Sequence, residues 1–370
     1  MEHFDTVELE LGTAPSTAIP TRPGYYPEPQ GFRGELKRAQ GIYRALCRAT
    51  DQVYADVRVG RALSATSLDK PMERMIDSII RHPDAMVWMC RLHPHPDNYW
   101  VGHAVRTAAL AAVLGRSMGL AEAQLRRLAM GGLLCQIGKT KLPMKLLEKS
   151  GPLQADELDR IRNHVQPASE LLRAADSVKD EVIEIIENHQ ERFNGTGIPG
   201  ARQGDQIPAL ARLLGMVEWF DSMISIKPYT DRVLTPCEAM DYLYQQRDVL
   251  FPTQLVEEFV RAVGVYPNGT LVELNTGEVA VVQAQNSANR TQPRIVLVRD
   301  HDGKDLPRYR PINMMEFNRN SDVALTIRRA LPADEFQMDA AQLIKAGSGS
   351  SLSGLFSSRV APRFLQFQMQ

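Results

Sequence analysis

From Phe32 to Val263 the apolar residues recur at helical spacing, and at Gly264 the pattern changes to short alternating runs. The two periods demand different backbones, so the chain is expected to be mainly α, an all-helical domain followed by a small antiparallel β-barrel or sheet. Leu36, Ala39, Ile42, Leu46, Val53 and Val57 predict a helix over 32–59, and Met75, Ile76, Ile79 and Ile80 one over 69–81 with Pro71 in its first turn. Further helices are expected over 99–118, 154–164, 182–189, 208–225, 235–249 and 253–263. Thr235-Pro236-Cys237-Glu238 has the form of a capping box. The run from Leu128 to Cys135 reads as a buried helix stopped by Gly138 in a left-handed cap, with Pro143 beyond it. After Gly264, the runs 270–274, 279–282 and 294–299 read as strands, with turns at Asn275-Thr276-Gly277 and Asp302-Gly303.

These signals divide the chain into an arm (1–30), a helical lead-in (31–92), a central helical domain (93–264), a β-rich domain (265–333) and a tail (334–370). The lead-in suits a regulatory or dimerising module, or a cap on the main core. The arm and tail are rich in Pro, Gly and Ser and are expected to be flexible, with Leu355, Phe356, Phe364 and Phe367 able to dock.

Composition removes several classes of function. A net charge of −1 gives no electrostatic reason to bind nucleic acid, and no apolar run is long enough to span a bilayer. Cys47, Cys90, Cys135 and Cys237 are scattered, without the spacing of a redox or metal pair. The start of the chain carries Glu2, Asp5, Glu8 and Glu10 and lacks a secretory pattern, so a cytoplasmic location is expected.

Chemistry concentrates in the central domain. His103, His164 and His189 fall on predicted helices, Glu218 and Asp221 on a further one, and Lys139 follows the buried run. A glycine-rich loop follows His189: Gln190-Glu191-Arg192-Phe193-Asn194-Gly195-Thr196-Gly197-Ile198-Pro199. Together with Ile137-Gly138-Lys139 and Leu142-Pro143, this loop resembles the HD-GYP branch of the HD superfamily of metal-dependent phosphohydrolases, which hydrolyse cyclic-di-GMP. The family motif is His-His-Glu-Arg, two variable residues, then Gly-x-Gly-Tyr-Pro. Here Gln190 stands for the second histidine and Ile198 for the tyrosine, while Cys135-Gln136 stand where the family has its His-Asp dyad. Lys227-Pro228-Tyr229 resembles a segment whose arginine helps hold the dinucleotide phosphates.

The resemblance implies a first metal position at His103, Cys135, Gln136 and Glu218, and a second sharing Gln136 and using His164, His189 and Gln190. The bridging aspartate has become a neutral glutamine, and two close cations without an anionic bridge repel. The resemblance therefore implies a degenerate member: a non-catalytic cyclic-di-GMP-binding or protein-interaction module, with no catalytic residue and hydrolysis absent or much reduced. No resident cofactor is expected. The alternative is one divalent metal (Zn, Fe or Mn) on His103, His164, His189 and Glu218, supporting a weak phosphodiesterase. A zinc site using the Cys135 thiolate is a variant of that alternative. Lys139 and Lys227 are the candidate phosphate holders. A purely structural scaffold is the third reading. The expected partners are cyclic-di-GMP, a signalling protein and a second copy of the chain.

Overall fold

A computed structural model describes residues 26, 31–92, 99–230, 233–286, 288–332 and 340–347. Apart from Tyr26, the predicted arm lies outside these residues, as does the far part of the tail with its phenylalanines. The architecture is a mainly helical HD-type domain followed by an antiparallel sheet.

The helices are arranged around α4 (Tyr99–Ser117), where every residue from Val101 to Gly115 is buried. A helix apolar on all sides has no solvent face and must sit at the centre of the bundle. It packs most extensively on α5 (Glu122–Leu134). The two backbones meet closely because Gly132 lies against Ala108, where a Cβ would come within 2.5 Å of the Ala108 Cα. Three earlier helices, α1 (Phe32–Arg58), α2 (Thr66–Arg81) and α3 (Pro83–Leu92), cover this pair. Their buried residues, including Leu36, Met75 and Trp88, belong to the same continuous core. The lead-in is thus packed as a cap. The α1 residue Tyr54 donates its hydroxyl to the Leu133 carbonyl at 2.9 Å, bracing the last turn of α5.

Several sequence expectations need correction. Pro71 lies inside α2, which starts earlier, at Thr66. The short α3 (Pro83–Leu92) has no counterpart in the sequence reading. The helix beginning at Pro236 ends at Gln245, well short of Val249, although its Thr235–Glu238 capping box is formed. Gly138 is not a left-handed cap. Instead α5 ends at Leu134, and a 3-10 turn (Ile137–Lys141) follows with Gly138 inside it. Glycine is required there by close approach: a Cβ would stand 1.9 Å from the His164 carbonyl oxygen.

After α4 and α5 come α6 (Met144–Leu147), α7 (Ala155–Arg162), α8 (Val165–Arg173), α9 (Asp180–Asn188), α10 (Ala209–Met223), α11 (Pro236–Gln245) and α12 (Thr253–Val263). The sheet contains β1 (Leu271–Leu274), β2 (Val279–Ala284), β3 (Arg294–Arg299), β4 (Asp305–Asn313) and β5 (Ile327–Leu331), in the order β4-β3-β2-β1-β5, all neighbours antiparallel. It is an open sheet, so the closed-barrel form of the expectation does not hold. One face, with Val281, Val296 and Val298, joins the helical core. The other, with Val272, Ala280, Ile295 and Leu297, closes over Met314 of α13 (Met314–Arg319). A further correction concerns the tail: Ala340–Gly347 is a helix, α14, packed on α1, β3 and β4 with Leu343 fully buried.

Gly138→Ala should lose about 3 kcal/mol in urea denaturation, because backbone atoms block the new methyl. Gly41→Ala, on an exposed turn of α1 with open space around the added carbon, should instead gain about 0.5–1 kcal/mol from helix propensity.

Candidate functional site

The ends of α5, α7, α9 and α10 meet α4 around a buried polar cluster. His103 comes from the first turns of α4, and Cys135 and Gln136 from the end of α5. His164 and His189 sit at helix ends, as the N-cap of α8 and the C-cap of α9, in line with predicted helices that end at these two residues. Glu218 and Asp221 project from α10. His103, Cys135, Gln136, His164, His189 and Asp221 are all essentially inaccessible, and Glu218 is 8% exposed. Two glycines set the histidine backbones. Gly138 lies against the His164 carbonyl and Gly215 of α10 against that of His189, where a Cβ would come within 2.0 Å.

Hydrogen bonds bind half of this cluster together. His103 Nδ1 is 2.8 Å from Asp221 Oδ2, and its Nε2 is 3.1 Å from Glu218 Oε1. A carboxylate only accepts, so a ring nitrogen that carries hydrogen donates to the carboxylate it faces. Gln136 Nε2 donates to the same Glu218 oxygen at 3.1 Å. Asp221 also receives Arg106 Nε at 3.0 and 3.1 Å and the Ser225 hydroxyl at 3.1 Å, with the Arg91 guanidinium 3.6 Å away. Tyr99 stacks on the His103 ring at 5.6 Å between centroids. Burial alone would raise both carboxyl pKa values. For Glu218 the hydrogen bond and charge of His103 outweigh it, and for Asp221 the Arg106 charge and His103 do, so both lie well below the ordinary range.

The other half is under-satisfied. His164 Nδ1 lies 2.9 Å from the Ile161 carbonyl and His189 Nδ1 2.6 Å from that of Ile186. Their rings stand edge to face at 5.7 Å. Among the described residues, His164 Nε2, His189 Nε2 and Gln136 Oε1 are buried without a hydrogen-bond partner.

The metal pair implied by the family does not fit the residues present. Among the described residues, no three His, Cys, Asp or Glu side chains are grouped so as to hold an ion. Cys135 does not serve as a thiolate: its Sγ donates to the Gly132 carbonyl at 3.3 Å, and burial pushes its pKa up to about 12.

Both candidate phosphate holders lie within electrostatic reach of Glu218. Lys139 is 7% exposed, with its ammonium 4.0 Å above the Trp100 ring. Burial pushes its pKa down to about 8, and burial also lowers that of half-buried Lys227. Neither has a carboxylate within ion-pairing distance among the described residues. In the glycine-rich loop, Glu191 accepts from the Gly200 and Arg202 amides at 2.6 and 3.0 Å, and Arg192 donates to the His189 carbonyl at 3.2 Å. Gly195 has a positive φ, Gly197 lies against the Glu191–Arg192 backbone, and Ile198–Pro199 is cis. Gln190 is part-buried, and its carbonyl accepts from the Ile198 amide at 3.2 Å.

The sequence reading did not identify Arg91, Arg106, Ser225, Tyr99 or Trp100. Arg106 left a signal, since an arginine one turn after His103 in an otherwise apolar helix needs a buried anion.

A comparison with protein families matches the HD domain family over residues 93–254. The chain is 29% identical to cyclic di-GMP phosphodiesterase PA4108 of Pseudomonas aeruginosa over 78% of its own length and 69% of that protein's. It is 32% identical to the cyclic di-GMP phosphodiesterase response regulator RpfG of Xanthomonas campestris pv. campestris, over 42% of this chain and 41% of that one. It therefore spans less than half of RpfG. Among solved structures, Bd1817, an HDG"Y"P protein from Bdellovibrio bacteriovorus, shares the fold with a TM-score of 0.51 at 18% identity, over 61% of this chain and 71% of that one. These helices and this pocket define an HD-type domain. Its similarity to these relatives supports the HD-GYP branch of that family.

Asp221 and Glu218, with depressed carboxyl pKa values, contribute stability that is present above the unfolded value of about 4 and fades as pH falls below it. Acid denaturation curves of wild type should accordingly be steeper below about pH 4 than those of Asp221→Asn. Asp221→Ala, which leaves Arg106 buried and unpaired, should lose about 3–5 kcal/mol at neutral pH.

Proposed function

We propose that this chain acts in cyclic-di-GMP signalling as a dinucleotide-binding module from which two-metal hydrolysis has been lost. The observation that carries this reading is the contact of Gln136 with Glu218 at 3.1 Å. At the position where the family resemblance implies a bridging carboxylate, a neutral amide donates a hydrogen bond instead. Metal-assisted phosphodiester hydrolysis needs an activated water and neutralisation of developing charge, and a pair of ions without an anionic bridge is strongly disfavoured. Lys139 and Lys227 support retained binding, because two ammonium groups within electrostatic reach of Glu218, without an ion-pair partner among the described residues, suit phosphate oxygens.

A second reading, a weak one-metal phosphodiesterase, is favoured by the bare Nε2 atoms of His164 and His189. A cation held there would supply positive charge to a phosphate oxygen.

Calorimetric titration of the full chain with cyclic-di-GMP in EDTA should show saturable binding, and chromatography after incubation with Mn2+ or Fe2+ should show no product above the buffer rate. Robust turnover would replace the first reading with the second, and absence of binding would leave the scaffold reading. Lys139→Ala and Lys227→Ala should each weaken binding about tenfold, the ~1.4 kcal/mol of one charge-assisted hydrogen bond. Because the Lys139 ammonium loses its proton near pH 8, affinity should also fall as pH rises through about 8.

A further inference from the structure

The β-rich domain meets the helical core along α3, which packs on β2. Asp84 and Arg91 of α3 lie two helical turns apart and so share one side of it. Both meet the chain between α12 and β1. The Asn268 side-chain amide donates to Asp84 Oδ1 at 2.8 Å and accepts from Gln285 Nε2 at 2.9 Å. Gln285 Nε2 also donates to the Tyr266 carbonyl, and the Gly269 amide donates to the Val282 carbonyl of β2, each at 2.8 Å. These bonds tie residues 266–269 to β2, so the segment moves with the sheet.

Gly269 has a φ of +86° and lies against the stem of Arg91, where a Cβ would stand 2.7 Å from the Arg91 Cβ. Any side chain at 269 would displace Arg91, because a packed interior leaves no room to absorb it. The other end of Arg91 lies 3.6 Å from Asp221 Oδ1. Asp221 is fully buried, and its other oxygen is 2.8 Å from His103 Nδ1. A single side chain therefore touches the β-rich domain at its base and the buried cluster at its tip. Arg106 already pairs with Asp221 at 3.0 Å, so Arg91 adjusts the charge balance there and is not its main source.

We infer that α3 couples the β-rich domain to the buried cluster: the 266–269 segment seats Arg91 beside Asp221, and the position of the sheet sets the charge around His103. Arg91 is a positioning residue in this scheme. In a buried site the interaction of two charges changes steeply with their separation, so a small shift of the sheet is felt at Asp221. Coupling is reciprocal, and a ligand that perturbs the cluster would also alter how firmly the sheet is seated. The inference goes beyond the dinucleotide reading and does not rest on it.

The test follows the ring 15N resonances of the histidines in the full chain with no ligand added, His103 being assigned by its through-space contact with the Tyr99 ring. Arg91→Met keeps the stem beside Gly269 and removes the guanidinium. It should shift the His103 Nδ1 resonance, and Arg91→Lys should restore part of the wild-type value. Gly269→Ala should shift the same resonance in the wild-type background and leave it unmoved in the Arg91→Met background, the non-additivity of a coupled pair. An unmoved His103 signal in Arg91→Met, or a Gly269→Ala shift that persists at full size without the guanidinium, would overturn the inference. So would changes in amide exchange confined to β1 and β2 with none in α10. Where Gly269→Ala does not fold, Asn268→Ser replaces it, and the two Arg91 variants decide independently. Failure to bind cyclic-di-GMP with the His103 response intact would remove the proposed function alone. Dinucleotide binding without that response would remove this inference alone.

Discussion

The hydrogen bond from Gln136 to Glu218 sets the electrostatics of the whole pocket. Glu218 is buried and must be compensated, and it receives His103 and Gln136 on one oxygen. His103 in turn reaches Asp221, which the Arg106 guanidinium and the Ser225 hydroxyl also approach. A chain of alternating donors and acceptors therefore links α4, α5 and α10 through the centre of the molecule. Such a network is stable only when each member is satisfied, since a single unpaired buried charge destabilises by several kcal/mol.

The surrounding framework holds its shape independently of that chemistry. α4 is buried on every side, Gly132 lets α5 approach it, and Gly138 and Gly215 seat the backbones of His164 and His189. These are steric constraints and do not depend on what the pocket binds. Changing Cys135 or Gln136 alters side-chain polarity and leaves the backbone approaches intact. A family scaffold can therefore persist while the residues that define its reaction change.

Much of the helical fold was legible in the sequence because burial of one helix face imposes a period of 3.6 residues. The features that escaped depend on tertiary contact. Gly138 resembles a helix stop in isolation, and only the carbonyl of His164 reveals why it must be glycine. The short α3 is flanked by prolines, and α14 lies in a segment read as tail, so neither stood out. β4 is largely exposed and lacks the alternation of a half-buried strand, and β5 is read as a strand only once it pairs with β1. The candidate site residues came from motif positions, which say where a side chain sits and not what it faces. That His103 would be engaged by two carboxylates required the geometry of α10 relative to α4.

An amide in the place that the family resemblance gives to a carboxylate can still be held within the buried network. A carboxylate between two acceptor-rich halves needs cations on both sides. An amide is self-complementary to an asymmetric pocket: its nitrogen can satisfy the anionic half directly, leaving only its oxygen to be matched. Glu218 makes this arrangement workable, because its oxygen lies within 3.1 Å of the amide nitrogen and keeps the negative charge that the aspartate would have carried. Lys139 and Lys227 feel the charge of that one buried anion without an ion pair among the described residues. Lys139, seated over Trp100, remains partly desolvated, and a desolvated ammonium gains more from meeting a phosphate than a hydrated one does. On the proposed reading, anionic-ligand binding and the absence of a two-cation centre both follow from one hydrogen-bond polarity, that of Gln136 toward Glu218.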